Sequence, residues 1–445
     1  MPGEAAVAYG NDIVALQGSR LAMLRPMNGG GGPLTSALVY AMAGLSLSET
    51  RILADIDDAL MLADTLAWAG INSGSRNLPG LSAMADLLAD AFAELPGKVT
   101  LVQPTVVDAV TPDGGMQSID HGRHLLLEVR PQANRRLLFT GHMDTVFGVD
   151  HAFQNIRWLD AGTVNGPGVA DMKGGIAVLL AALKALEHAG SEGHEWGYDV
   201  IINSDEEVGS LSSAALIAKH AKGKLAALTY EPSALPDGTL AGARPGSGNF
   251  SISIGGRSAH AGRNPDEGRN AIVAAADLAV RLKAAVRPGL LINPARIDGG
   301  SANNVVPDNA VLHVNIRPTS PQDQIEAQRL LETVIADAAK CHDVTITLHG
   351  GFARPPKPLD DKALALFNIV ERASADLGMA IKHKDSGGVC DGNNIAACGV
   401  PVVDTMGVRG GSIHSADEFL IVESLGERAR LSALSVLRIL EQGLS

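Results

Sequence analysis

Apolar residues recur at helical spacing in RILADIDDALMLADTLAWAGI (51–71) and LSAMADLLADAFAEL (81–95), which predicts helices there. RHLLLEV (123–129) and RRLLFTG (135–141) are short apolar runs that read as strands, the second buried and ending at HMD. MKGGIAVLLAALKALEHAG (172–190) restores the helical period and stops at glycine. YDVIINS (198–204) then reads as a strand, LSSAALIAKHAK (211–222) as a helix and LAALTYEPS (225–233) as a strand again. Strands alternating with helices predict an α/β fold with a largely parallel sheet.

The pattern changes after residue 243. GNFSISIGG (248–256) alternates with period two, and a helix, two strands, a second helix and a strand follow through DVTITLHGG (343–351). That β-α-β-β-α-β order resembles a ferredoxin-like unit. After RPPKP the α/β texture resumes and runs to a final helix. The expected organisation is a catalytic domain over 51–243 and 353–445, interrupted by an inserted domain over 244–352. Residues 1–50, with MNGGGG and a mildly apolar stretch at 36–48, read as an N-terminal extension.

Composition narrows the function. A chain of 445 residues is long for one core, and 46% hydrophobic with 19% charged residues describes a globular protein. A net charge of -13 argues against a nucleic-acid partner, which needs a basic face. No apolar run is long enough to span a bilayer, so no membrane partner is expected. Three cysteines suit a reducing compartment; the cytoplasm is expected, with export left open.

The chemistry sits at strand ends, where open α/β sheets gather their ligands. His142 and Asp144 close the first buried strand, and Asp171 in NGPGVADMKGG opens a helix. Glu206 and Glu207 in SDEEVGS close the next strand, Glu231 in TYEPS the one after, and His414 lies in GGSIHSADEF. Each alone has a plain explanation, such as a helix cap or a hydrogen-bonded surface residue. Together they supply nitrogen and oxygen donors suited to zinc or a similar divalent ion.

These elements, in this order from about Leu60 to the C-terminus, resemble the zinc aminopeptidase-like exopeptidase and deacylase family, most closely its carboxypeptidase G type branch. The resemblance implies two zinc ions per subunit, with cobalt or manganese as alternatives. Asp171 would bridge both, His142 and Glu231 completing one and Glu207 and His414 the other. Asp144 would fix the His142 ring, Glu206 would be the general base, and the peptide after Asp171 would be cis. GRSAHAGRNPDEG resembles the segment whose histidine, here His260, reaches a partner subunit's site, which implies a homodimer formed by the inserted domain. Asn304 and Arg317 match the residues that hold a substrate carboxylate. SGGVCDGNN resembles a glycine-rich substrate loop, with Gly387 and Gly388 kept but Val389 and Cys390 replacing a glycine and a threonine. Cys390 is expected to pack or line the pocket.

The implied function is hydrolysis of an amide bond beside a free carboxylate in a peptide or small molecule. Release of a C-terminal amino acid leads, and deacylation of N-acyl amino acids is the alternative. A non-catalytic metal- or ligand-binding protein on this fold is the remote one.

Overall fold

The computed structural model describes residues 7–9, 12–14, 44–189 and 195–444. The chain divides into two compact units, residues 1–43 and 44–445. In the first, Val7–Tyr9 and Asp12–Val14 pair as an antiparallel ribbon. The rest of the expected N-terminal extension up to residue 43 lies outside the described residues.

In the second unit, regular structure begins with the helix Leu47–Ala54, whose N-cap Ser46 exchanges side-chain and backbone hydrogen bonds with Glu49. The apolar stretch 51–71 is not one helix. Asp57 accepts hydrogen bonds from the backbone of Ala59 and Leu60 and starts a second helix, Asp58–Ala69.

Five strands come first in the core: β1 (Lys98–Val102), β2 (His124–Val129), β3 (Arg135–His142), β4 (Trp196–Asn203) and β5 (Ala226–Thr229). Four belong to the inserted domain: β6 (Ser247–Gly255), β7 (Leu290–Gly299), β8 (Asn309–Pro318) and β9 (Thr345–Arg354). The short β10 (Val402–Val403) returns to the core. The core sheet has the order β10-β5-β3-β4-β2-β1. β10, β5, β3 and β4 run parallel, while β2 lies antiparallel between β4 and β1. The sheet is therefore mixed, with a parallel centre. Buried Leu126, Leu138, Ile201 and Ala227 join Ile217 and Ile395 in the core.

Register decides which residues share an edge. Asn203 pairs with His142, and Thr229 pairs with Thr140, so three parallel strands release their chains side by side. The following residues, 143–145, 204–207 and 230–231, fall on that one edge. The helix Gly174–Ala189 covers this part of the sheet, and the Asp171–Met172 peptide just before it is cis, as the resemblance implies.

The inserted strands form an antiparallel sheet of order β7-β8-β6-β9, with the helices Ala271–Ala284 and Pro321–His342 between strands. This is the ferredoxin-like arrangement, with a core of its own that includes Phe250, Ile252, Leu278, Leu312 and Leu331. The chain enters and leaves the domain side by side: Arg244 bridges Lys357 and Ser247 pairs with Arg354.

Gly175 shows how tightly the covering helix meets the sheet edge. A Cβ at this position would lie 2.0 Å from the Tyr230 carbonyl oxygen. Gly175→Ala must separate the helix start from the chain just before Glu231. Overpacking of this kind costs on the order of 1–3 kcal/mol or more. A lowered urea midpoint is the expected outcome, and an unchanged one would show that the edge can spread freely.

Candidate metal centre

His142, the last residue of β3, is almost wholly buried, and its Nε2 lies 3.1 Å from Asp171 Oδ1 and 3.5 Å from Glu231 Oε2. His414 comes from the loop before the final helix, and its Nε2 lies 3.3 Å from Asp171 Oδ2 and 3.1 Å from Glu207 Oε2. The structure thus brings His142, Asp171, Glu207, Glu231 and His414 together, with Asp171 between the two imidazoles and one oxygen turned to each. His414 has a φ of 62°, a left-handed conformation uncommon outside glycine.

The donor set fits divalent ions. Two donors each about 2.0–2.1 Å from a tetrahedral zinc stand roughly 3.3 Å apart. The imidazole–carboxylate separations bracket that spacing. Glu231 Oε1 is buried with no hydrogen-bond partner, an acceptor that a cation would satisfy.

The neighbouring charges shift the titration of these groups. Burial alone would depress His142, but Glu231, Asp144 and Asp171 override it and hold the imidazole well above its usual range. Hydrogen bonds to Asp171 and Glu207 push His414 up to about 11. Burial, reinforced by Asp171, pushes Glu207 up to about 7, and burial also raises Glu231. Asp171 is held below the usual carboxylate range: burial opposes this, but hydrogen bonds from both histidines prevail.

Asp144 meets the His142 ring through both its main chain and its side chain. His142 Nδ1 lies 3.0 Å from the Asp144 backbone carbonyl and 3.4 Å from its carboxylate. A carbonyl can only accept, so Nδ1 carries the hydrogen and Nε2 is left for a metal. The carboxylate also accepts from the backbone N–H of Glu206 (3.1 Å) and Glu207 (3.2 Å) and from Ser75 Oγ (2.7 Å). It fixes the turn that presents both glutamates. Beneath it, Asp205 accepts from the backbone and hydroxyl of Ser212. Glu418 does similar work for Asp171, accepting from the backbone N–H of Gly168, Ala170 and Asp171 at 3.0–3.2 Å.

Glu206, expected as the general base, is ion-paired. Arg354 Nη2 lies 2.6 Å from its Oε1. Glu206 still lines a cleft of about 470 Å³ together with Asp171, Glu207, Glu231 and His414. Arg244 lines it too, bound through two nitrogens to Asp404 at 2.8 and 3.0 Å. Sequence reading missed Arg244, Arg354, Asp391, Asp404 and Glu418. Only Glu418 had a signal, its place four residues after His414 in the same segment.

Of the glycine-rich loop, Gly388, Val389 and Cys390 line the cleft. Cys390 is buried, and burial holds its thiol well above the usual range, which suits a packing role. Arg317 does not line this cleft; its Nη1 donates to the Gly387 carbonyl and its Nε to Asn315. His260 and Asn304 are exposed on an outer ribbon of the inserted domain, where Ala259–His260 pairs with Val305–Val306. His260 Nδ1 accepts from Gly262 N within its own loop.

The pattern of peptidase family M20/M25/M40 matches residues 138–438. The chain is 30% identical over 326 residues to carboxypeptidase G2 of Pseudomonas sp. (strain RS-16), covering 70% of this chain and 76% of that protein. It is 29% identical over 307 residues to succinyl-diaminopimelate desuccinylase of Halorhodospira halophila, covering 64% and 79%. Its fold is similar to that of the YXEP protein of Bacillus subtilis, a dinuclear metal-binding peptidase of family M20. That match has a TM-score of 0.60 and 16% identity, and covers 85% of this chain and 98% of that one.

Metal uptake is expected to release protons, because His142 and His414 are held protonated near neutral pH and a ligand imidazole must be neutral. Affinity should rise with pH, about tenfold per unit for each proton displaced. Titration calorimetry with zinc in Pipes and in Hepes, which bind zinc weakly, checks this through their different heats of buffer protonation. Identical heats in both would contradict ligation by these histidines.

Proposed function

Because the chain belongs to peptidase family M20/M25/M40, it is a metal-dependent hydrolase, and we propose that it cleaves an amide bond beside a free carboxylate, releasing a C-terminal amino acid. The observation that carries this reading is the cleft, where a dense acidic cluster and one buried guanidinium face the same space. His142, Asp171 and Glu231 would hold one ion, and Asp171, Glu207 and His414 the other, with zinc our choice of metal. When bound, such a pair makes water nucleophilic near neutral pH and polarises the scissile carbonyl.

Glu206 would take a proton from the attacking water and pass it to the leaving nitrogen. Its carboxylate has an oxygen close to both His142 and Glu231, as that transfer requires. Arg244 would face a substrate carboxylate. Asp404 is shared by Arg244 and by Lys357 Nζ at 3.0 Å, so two cations meet one anion and positive charge is left over behind the cleft wall. Arg244 donates three hydrogen bonds, to Asp404 and to the Gly388 carbonyl, which leaves an N–H on each terminal nitrogen. Pro232, Ala234, Pro236, Ile413 and Phe419 add apolar surface for the rest of the substrate.

Deacylation of N-acyl amino acids is the second reading. Its support is the desuccinylase relative, and it uses the same residues on the same amide, with a simple acyl group in place of a peptide on the carbonyl side. We further propose a homodimer formed through the inserted domain, with His260 and Asn304 completing the partner's site and Arg317 bordering it through the glycine-rich loop. Val273 and Val280, one heptad apart on the helix Ala271–Ala284, are more than half exposed and give that face an apolar stripe. Three free cysteines agree with the cytoplasm as the compartment.

Glu206→Gln is expected to retain metal and to lower kcat by roughly a hundred- to ten-thousand-fold. The assay is amine release from a panel of α- and γ-linked glutamyl compounds and N-acyl amino acids, with metal content measured in parallel. Retention of more than about a tenth of wild-type kcat would remove Glu206 from the base role.

Mixing inactive Glu206→Gln with inactive His260→Ala subunits tests the dimer. A mixed pair has one site with both an intact base and an intact partner histidine, so activity should return. Subunit exchange seen by sedimentation without any recovery would refute action of His260 across an interface.

A further inference from the structure

Arg354 is 3% exposed, and its guanidinium is divided between two carboxylates. Nη1 donates to Asp391 Oδ1 at 2.7 Å and to Asn394 Oδ1 at 3.1 Å. Nη2 donates to the Glu206 carboxylate at 2.6 Å, to the Glu206 backbone carbonyl at 3.1 Å and to Ser210 Oγ at 3.0 Å. Asp391 is itself fixed, accepting from Ser210 Oγ at 2.6 Å and from Asn203 Nδ2 at 2.9 Å. Asn203 ends β4 and pairs with His142.

One nitrogen therefore holds both the side chain and the main chain of Glu206, which limits its rotamers to those that satisfy both bonds. Glu206 sits on a single 3-10 turn, residues 206–208, with no helix to fix its direction. A free glutamate there would lose side-chain entropy on being aimed at one point. The planar fork of an arginine suits this task, since its donors diverge at fixed angles and can serve two carboxylates at once.

The geometry points to Arg354, anchored on Asp391, as a positioning residue that sets the direction of the Glu206 carboxylate in the cleft. Arg354 acts through Glu206: it binds Oε1 of the carboxylate, which leaves Oε2 to exchange the proton. This rests on Glu206 being the base, as proposed above. Simple charge compensation is the competing role, because two acids buried around an empty space would repel.

The test compares Arg354→Met and Arg354→Lys, each alone and combined with Glu206→Gln. Metal content and thermal unfolding are measured for every variant. In the parent, Arg354→Met should lower kcat about a hundredfold with KM within about threefold, and in Glu206→Gln it should cost less than about twofold more. Lysine keeps the charge but cannot reach both acids, so Arg354→Lys should not restore kcat. Equal losses in both backgrounds, or full activity with lysine, would overturn the positioning role and leave the base reading standing. An active Glu206→Gln enzyme would overturn the base reading itself. A crystal structure of Arg354→Lys gives a readout independent of turnover. The Glu206 carboxylate should leave its present direction, and an unmoved carboxylate would overturn the inference.

Discussion

Mutual repulsion among buried carboxylates is the constraint on which this structure depends. Asp144, Asp171, Glu206, Glu207 and Glu231 converge at one edge of a sheet, and Asp205 and Glu418 lie just behind them. An isolated carboxylate taken from water pays a penalty of several kcal/mol, so each must find a cation, a proton or several N–H donors. The solutions differ by layer. Those at the back, Asp144 and Glu418, accept backbone N–H groups and shape the loops. Those at the front face side-chain cations and imidazoles: Glu206 meets Arg354, Glu231 meets His142, Glu207 meets His414, and Asp171 meets both histidines.

Family membership and cleft chemistry limit the reaction to amide hydrolysis without choosing the substrate. Carboxypeptidase and desuccinylase relatives match to nearly equal identity. The difference between their reactions lies in what surrounds the scissile bond. In this chain Val389, Cys390 and Arg244 line the cleft, and Arg244 shares Asp404 with Lys357.

Much of this was legible in the chain itself. Strand-end acids and histidines stand out because each follows a dense apolar run, and the change to period-two alternation after residue 243 marks the inserted sheet. Arg354, Arg244, Asp391 and Asp404 did not stand out. Their partners are 37 to 188 residues away, and nothing local distinguishes a buried arginine from one on the surface. Spacing shows Asp144 near the His142 ring, but it cannot show that the same carboxylate also holds the backbone N–H groups of Glu206 and Glu207. The helix break at Asp57 was hidden by continuous apolar periodicity across it.

The inserted domain starts and finishes at adjacent hydrogen-bonded positions, Arg244 against Lys357 and Ser247 against Arg354. A hundred residues are thus joined to the host through two neighbouring crossings, which a tight turn could span. The topology of the core sheet owes nothing to what lies beyond them. Such an insertion behaves as a cassette: it can lengthen, shrink or be exchanged over evolutionary time while every core strand keeps its neighbours. Side-chain ties across the junction are what such an exchange must respect: Arg354 of the cassette's last strand holds Glu206 of the host, and Arg317 holds the Gly387 carbonyl.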